Sequence, residues 1–183
     1  KNLVGLVQAW QHLSERRPAL CREWRLVVAG WSEQEHGEQL AQLCMSYGLS
    51  GSVSFVGPQF GTDKARLYHE ADAVVLPSLN EALPMVVLEA WSYGLPVAMT
   101  AACHLPIGYE TGSAQLIAAD PDNMSHGLQS FLEMTDGERI AMGSKGRQLV
   151  RARFVWSQIA EDMSDVYYWL VGSGTQPPCI VLN

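Results

Sequence analysis

The sequence predicts a doubly wound α/β fold, with a parallel sheet and helices on both faces. Two observations carry this. Short apolar runs alternate along the chain with segments of about 10–15 residues whose apolar positions recur at helical spacing. One of these runs, RLVVAG (25–30), is apolar at successive positions and ends in Gly, the mark of a strand buried on both faces.

Taken in order, Leu3, Leu6, Val7, Trp10 and Leu13 recur every three to four residues and predict a helix that stops before Pro18. RLVVAG is the first strand. A helix follows with Leu40, Leu43, Cys44 and Tyr47 on one side and Gly48 as its C-cap. VSFVG (53–57) reads as a strand and 62–71 as a helix. Segment 73–77 reads as a strand, 84–94 as a helix, 96–100 as a strand and 115–119 as a fifth strand. Helices are expected at 123–133, 136–152 and 156–171, and the Gly- and Pro-containing stretch 172–183 as a loose tail. Such domains open with a strand, yet this chain opens with Lys1 and a helical pattern. The expectation is a domain over 1–171 whose leading strand lies outside this sequence.

Composition narrows the function. With 12 Lys+Arg against 19 Asp+Glu the net charge is −7, which argues against nucleic acid as a partner, because phosphate binding needs a basic face. At 183 residues, 48% hydrophobic and 17% charged, the chain fits one globular domain with a sizeable core. No apolar run approaches the roughly 18 residues that span a bilayer. Cys21, Cys44, Cys103 and Cys179 form no C-x-x-C pair and read as reduced thiols of a cytoplasmic protein.

In open α/β sheets ligands bind beyond the carboxyl ends of the strands, so chemistry is expected in the loops after 30, 57, 77 and 100. The informative segment is PSLNEALPMVVLEAW (77–91). Pro84 suits a first helical turn, and Glu81 stands just ahead of it. The amides of Ala82, Leu83 and Met85 are expected to be free and to attract an anion such as phosphate. A plainer reading has Asn80 or Glu81 merely capping the helix. Glu89 lies among Val86, Val87, Leu88, Ala90 and Trp91, where a carboxylate is costly unless paired. It serves either a core ion pair or a surface position, or it accepts hydrogen bonds from a diol. The diol reading is preferred because both glutamates bracket one turn at the ligand edge.

These residues resemble a family. The spacing E-x7-E, Glu81 to Glu89, with EAWSYGLPV (89–97), looks like the signature of the C-terminal, nucleotide-sugar-binding domain of family-4 retaining glycosyltransferases with the GT-B fold. KNLVGLVQAW, LVVAG, VSFVGP, DKARLYHEADAVVLPS, CHLPIGYETG and FVWSQIAEDMSDVY resemble further stretches of that domain in the same order. The resemblance implies a Rossmann-like half of a GT-B enzyme that binds a nucleotide diphosphate sugar and transfers the sugar with retention. Glu81 would contact the donor sugar as the catalytic residue, and Glu89 the ribose hydroxyls. Lys1 would hold the diphosphate, the amides of Ala82, Leu83 and Met85 sugar or phosphate oxygens, and the backbone at Gly57 and Pro58 would border the base. His104 and Glu110 would belong to a donor-sugar loop.

No metal cofactor is implied, since cations and helix-end amides stabilise the leaving diphosphate. The acceptor, a glycan or lipid-linked molecule, would sit on an N-terminal domain outside this sequence, and the isolated chain would be inactive. A peripheral place at the inner membrane face stays open. Departures from the pattern are His104 where Asn is frequent, Ile107 in place of an acidic residue, and Pro84 where many members have Gly. The arginine that partners the family lysine has no counterpart here. A non-catalytic nucleotide-binding or protein-docking domain is the rival, with a sugar-nucleotide epimerase as an enzymatic one.

Two decoys are set aside. Asp120-Pro121-Asp122 spells a metal motif but stands between a strand and a helix, where Asp122 or Asn123 is expected to cap. GSKGR (143–147) lacks the phosphate-loop spacing and lies inside a helical pattern. His12, His36 and His69 are expected on exposed helix surface.

Overall fold

The computed structural model describes residues 1–32 and 34–181. The chain opens with α1 (Leu3–Arg16), α2 (Pro18–Glu23), β1 (Leu26–Ala29), α3 (Gln34–Ser46), β2 (Val53–Gly57) and α4 (Gly61–Glu70). It continues with β3 (Val74–Leu76), α5 (Met85–Ser92), β4 (Val97–Thr100), a 3-10 turn (Ala101–Cys103), α6 (Ile107–Glu110) and β5 (Ala114–Ile117). It closes with α7 (Pro121–Leu132), α8 (Asp136–Arg153) and α9 (Trp156–Leu170). The short α2 was not expected from the sequence: Pro18 ends α1 but starts a new turn at once, its missing N–H costing nothing at a first helical position.

All strand pairings are parallel. β1 pairs with β2, and β3, β4 and β5 form a second ladder in that order. The outer edges of β1 and β3 have no ladder partner among the described residues. One layer of core nonetheless runs under both ladders. Leu6, Trp10 and Leu13 of α1 pack with Leu40 and Cys44 of α3, Met124, Leu128 and Phe131 of α7, and Val53, Ala98 and Ile117 of the strands. The opposite face of β3–β5 carries Leu76, Val97, Met99 and Ala114 against Val87 and Trp91 of α5 and Leu149 of α8. Side chains of a strand alternate between faces, and β4 shows it: Val97 and Met99 face one core, Ala98 the other.

β1 departs from expectation. It is not buried on both faces, for Val27 is 48% exposed and its register partner on β2, Ser54, is exposed too. α4, the helix that follows β2, buries no residue. Gly48 follows α3 in the left-handed conformation, as a helix-ending glycine should. α9 also buries no residue and exposes Trp156, Met163, Tyr167 and Leu170. Residues 172–181 carry turns without helix or strand, and 182–183 of the expected tail lie outside the described residues.

Candidate active site

The carboxyl ends of β3 and β4 set the site. Ser78, two residues beyond β3, is fully buried, and Thr100, the last residue of β4, hydroxyl-bonds to its carbonyl. This pins the loop that follows β3. The backbone N–H of Glu81 then donates to Ala102 O (3.0 Å) in the turn after β4, so two adjacent strand ends share one wall. Ser78 Oγ donates to Glu81 Oε1 at 2.6 Å, and Lys1 Nζ donates to the same oxygen. Lys1 reaches it because Asn2 anchors the start of α1. Asn2 Nδ2 donates to Ala119 O beyond β5 (2.8 Å), and its Oδ1 accepts from Gly5 N. Burial pushes the Glu81 carboxyl up, but hydrogen bonds from Lys1 and Ser78, with the lysine charge, outweigh it and hold the group below the ordinary glutamate value.

One helix further, Glu89 sits on α5 with its side chain 31% exposed. Of the readings open in the sequence, an ion pair is observed, with a lysine in a half-buried setting. Lys64 Nζ donates to Glu89 Oε1 (2.6 Å) and Tyr68 Oη to Oε2 (2.8 Å). Burial first, then the Glu89 carboxylate, raises the Tyr68 hydroxyl pKa, so it remains a donor.

The amides between the glutamates divide. Those of Ala82 and Leu83 have no hydrogen-bond acceptor among the described residues, and both residues are exposed. Met85 N, expected to be free, instead donates to Leu83 O at 2.9 Å, because Pro84 bends the chain into a tight turn. Pro84 itself is the N-cap of α5 rather than its first residue, and no side chain caps the helix, so neither Asn80 nor Glu81 does.

His104 ends the turn after β4, exposed and in the left-handed region (φ 52°), a conformation that Asn and Gly adopt more readily. That turn touches Glu81 through Ala102. Glu110 ends α6, is exposed, and joins neither glutamate by a hydrogen bond or ion pair among the described residues. Gly57 closes β2 with φ +68° and accepts from Gly30 N at 3.0 Å, so the ends of β1 and β2 meet. Pro58 follows, exposed, and beyond it Phe60 lies 6.1 Å from Trp31.

Sequence reasoning missed Ser78, Lys64 and Tyr68. Lys64 and Tyr68 stand four apart and share one face of α4, a signal that was available, although it could not name Glu89 as their common partner. The Asp-x-Asp decoy resolves as a cap, but through Asp120 rather than Asp122 or Asn123: Asp120 Oδ1 accepts from Asn123 N at 2.9 Å. Asp122 lies 2.9 Å from His12, which is half-buried on α1 rather than on the exposed helix surface expected for it. Among the described residues no group of His, Cys, Asp and Glu is arranged to hold a metal. No described helix is long and apolar enough to cross a membrane.

Comparison with known proteins supplies the frame. The sequence is 34% identical over 167 residues to a D-inositol 3-phosphate glycosyltransferase of Salinispora tropica, covering 88% of this chain and 34% of the relative. The chain thus spans about a third of the length of that relative. Sucrose-phosphate synthase from Thermosynechococcus elongatus has the same fold, with a TM-score of 0.74 at 24% identity over 92% of this chain and 43% of its own. An Anabaena protein solved in complex with UDP and glucose superposes with a TM-score of 0.67 at 23% identity, over 84% of this chain and 44% of its own. The family model described as glycosyl transferases group 1 matches residues 1–149, and the chain belongs to that family.

Proposed function

We propose that this chain is the donor-binding domain of a retaining glycosyltransferase that moves a sugar from a nucleotide diphosphate sugar to a glycan or lipid-linked acceptor. The observation that carries the reading is the pairing of each glutamate of the E-x7-E spacing with a lysine, the first at the ends of β3 and β4 and the second between α4 and α5. In this reading Glu89 accepts from the ribose hydroxyls, and Gly57 and Pro58 border the base. Lys1 and the free amides of Ala82 and Leu83 face the diphosphate. Developing negative charge on the leaving group then meets a cation and oriented N–H dipoles, which do the work of a metal ion. Glu81 contacts the sugar near its reacting carbon, and His104 lies on the same wall. The Anabaena neighbour, solved with UDP and glucose, supports a nucleotide sugar as the partner.

We infer further that the acceptor binds a domain outside this sequence, that the chain alone transfers nothing, and that the whole enzyme works in the cytoplasm. The relative three times as long supports the first inference.

The test is thermal-shift titration of the full-length protein with UDP, GDP and ADP beside Glu89→Ala. A ligand of the folded form alone raises stability by about 2.7 kcal/mol at one hundred times Kd. One nucleotide is expected to raise the midpoint in the wild type and to lose that effect in the variant. No shift with any of them at millimolar concentration overturns the reading.

A further inference from the structure

Glu89 is held from outside its own helix. Lys64 and Tyr68 lie one turn apart on α4, and each donates to a different oxygen of the same carboxylate. A carboxylate offers about four acceptor positions, so one donor per oxygen leaves each oxygen a further one. The side chain is 31% exposed, so those positions are reachable. The clamp is itself braced. Tyr68 stacks on Tyr93 with ring centroids 5.0 Å apart and planes at 21°, and His69 meets Tyr93 edge-on, also at 5.0 Å. Tyr93 is the C-cap of α5, four residues after Glu89. Two aromatic rings therefore tie α4 to α5 at the height of the carboxylate.

A free glutamate turns about three side-chain bonds, and ordering it at the moment of binding costs conformational entropy. A carboxylate already fixed in orientation binds a rigid pair of vicinal hydroxyls without that cost. Resting on the donor reading above, we propose that Lys64 and Tyr68 are positioning residues that aim Glu89 at the ribose diol and so set the preference for ribonucleotides over deoxynucleotides. Their effect is confined to the sugar of the nucleotide, because neither touches the Lys1–Glu81 side of the site.

The opposite role would have Lys64 block the diol site, with nucleotide displacing it. The two roles give opposite signs on removal of the lysine.

The experiment measures, by calorimetry on the full-length protein, the Kd of whichever of UDP, GDP and ADP binds tightest and of its 2′,3′-dideoxy counterpart. The proteins are wild type, Lys64→Met, Tyr68→Phe and Glu89→Gln. The wild type is expected to prefer the ribonucleotide by about tenfold or more, the worth of a charge-assisted hydrogen bond. Lys64→Met and Tyr68→Phe are each expected to cut that ratio by about threefold while leaving the dideoxy Kd within about twofold. A merely structural role would weaken both nucleotides together and overturns the proposal. So does an unchanged ratio in both variants while Glu89→Gln abolishes it, or tighter ribonucleotide binding by Lys64→Met. A wild type with no ribose preference overturns the donor reading of Glu89 and this inference with it.

Discussion

Lys1 and Glu81, eighty residues apart in sequence, meet as an ion pair at the carboxyl edge of the β3–β5 ladder, and Ser78 donates to the same carboxylate oxygen. The cation proposed for the diphosphate and the carboxylate proposed for the sugar are therefore one electrostatic unit. Because Glu81 ionises below its ordinary range in the fold, the pair contributes stability above the unfolded glutamate value and loses it as pH falls through the lowered folded value. The wild type is expected to lose thermal stability more steeply than Glu81→Gln as pH falls from about 5 to 2, where the unfolded chain binds the proton first. Parallel acid titrations followed by circular dichroism check this, and coincident curves refute it.

The same unit separates binding from turnover. Glu81→Gln in the full-length protein keeps the size of the side chain but removes the charge proposed to face the sugar. Turnover is expected to fall by about 10²–10³, the scale for losing one electrostatic contact in a transition state. Affinity for the free nucleoside diphosphate, which lacks the sugar, should not fall, because Lys1 loses a competing carboxylate and keeps its charge. Lys1→Met should weaken the diphosphate by about tenfold, the worth of a charge-assisted contact, and lower turnover as well. Steady-state rates with product-inhibition constants distinguish the two, and unaltered turnover in Glu81→Gln removes the residue from the chemistry.

Much of this was legible in the sequence because it is local. The strand and helix periods, the Gly48 stop and the two glutamates eight apart are read within a window of one element. What the sequence hid is pairing across elements. Ser78 looked like a loop residue, and its complete burial goes with partners for both its polar groups, the Thr100 hydroxyl on its carbonyl and the Glu81 carboxylate on its own hydroxyl. The engaged Met85 amide follows from the turn that Pro84 imposes, whereas a helix beginning at Pro84 would have left it free. The exposure of Val27 depends on what covers its face of the ladder in three dimensions, which no run of apolar residues discloses.

Gly143 and Gly146, the glycines of the phosphate-loop decoy, have a packing role. A Cβ on Gly143 would stand 1.8 Å from Gly94 O, and one on Gly146 would stand 2.2 Å from Trp91 Cδ1. Trp91 is completely buried, with Nε1 donating to Ser113 O at 2.9 Å, so it has no free direction to move. Alanine favours a helix over glycine by about 1 kcal/mol, yet overpacking costs about 1–3 kcal/mol or more, and the contact distances decide for the latter. Gly143→Ala and Gly146→Ala are each expected to lower unfolding free energy by at least about 1 kcal/mol in urea titration. Gly137→Ala, where nothing lies within 4 Å, should be neutral or stabilising. Equal behaviour of the three would refute the packing account.

The cysteines give a test in alkali. Cys21, Cys44 and Cys103 are buried thiols and Cys179 is exposed. Burial pushes Cys21 up to about 11 from an ordinary 9.0, and raises Cys44 and Cys103 as well. Only the thiolate attacks a disulfide reagent, so at pH 8 the native protein should react at Cys179 alone, and all four cysteines should react in denaturant. A folded pKa above the unfolded one means that these buried thiols contribute stability that is complete below the unfolded value. It is lost as pH rises from about 9 toward 11, because the unfolded chain gives up protons that the fold retains. Cys21→Ala is therefore expected to show a shallower loss of unfolding free energy across that window than the wild type, whatever its stability at neutral pH. Parallel slopes for the two proteins, or fast labelling of Cys21 in the native state, would refute the burial of Cys21 that the packing under α1 requires.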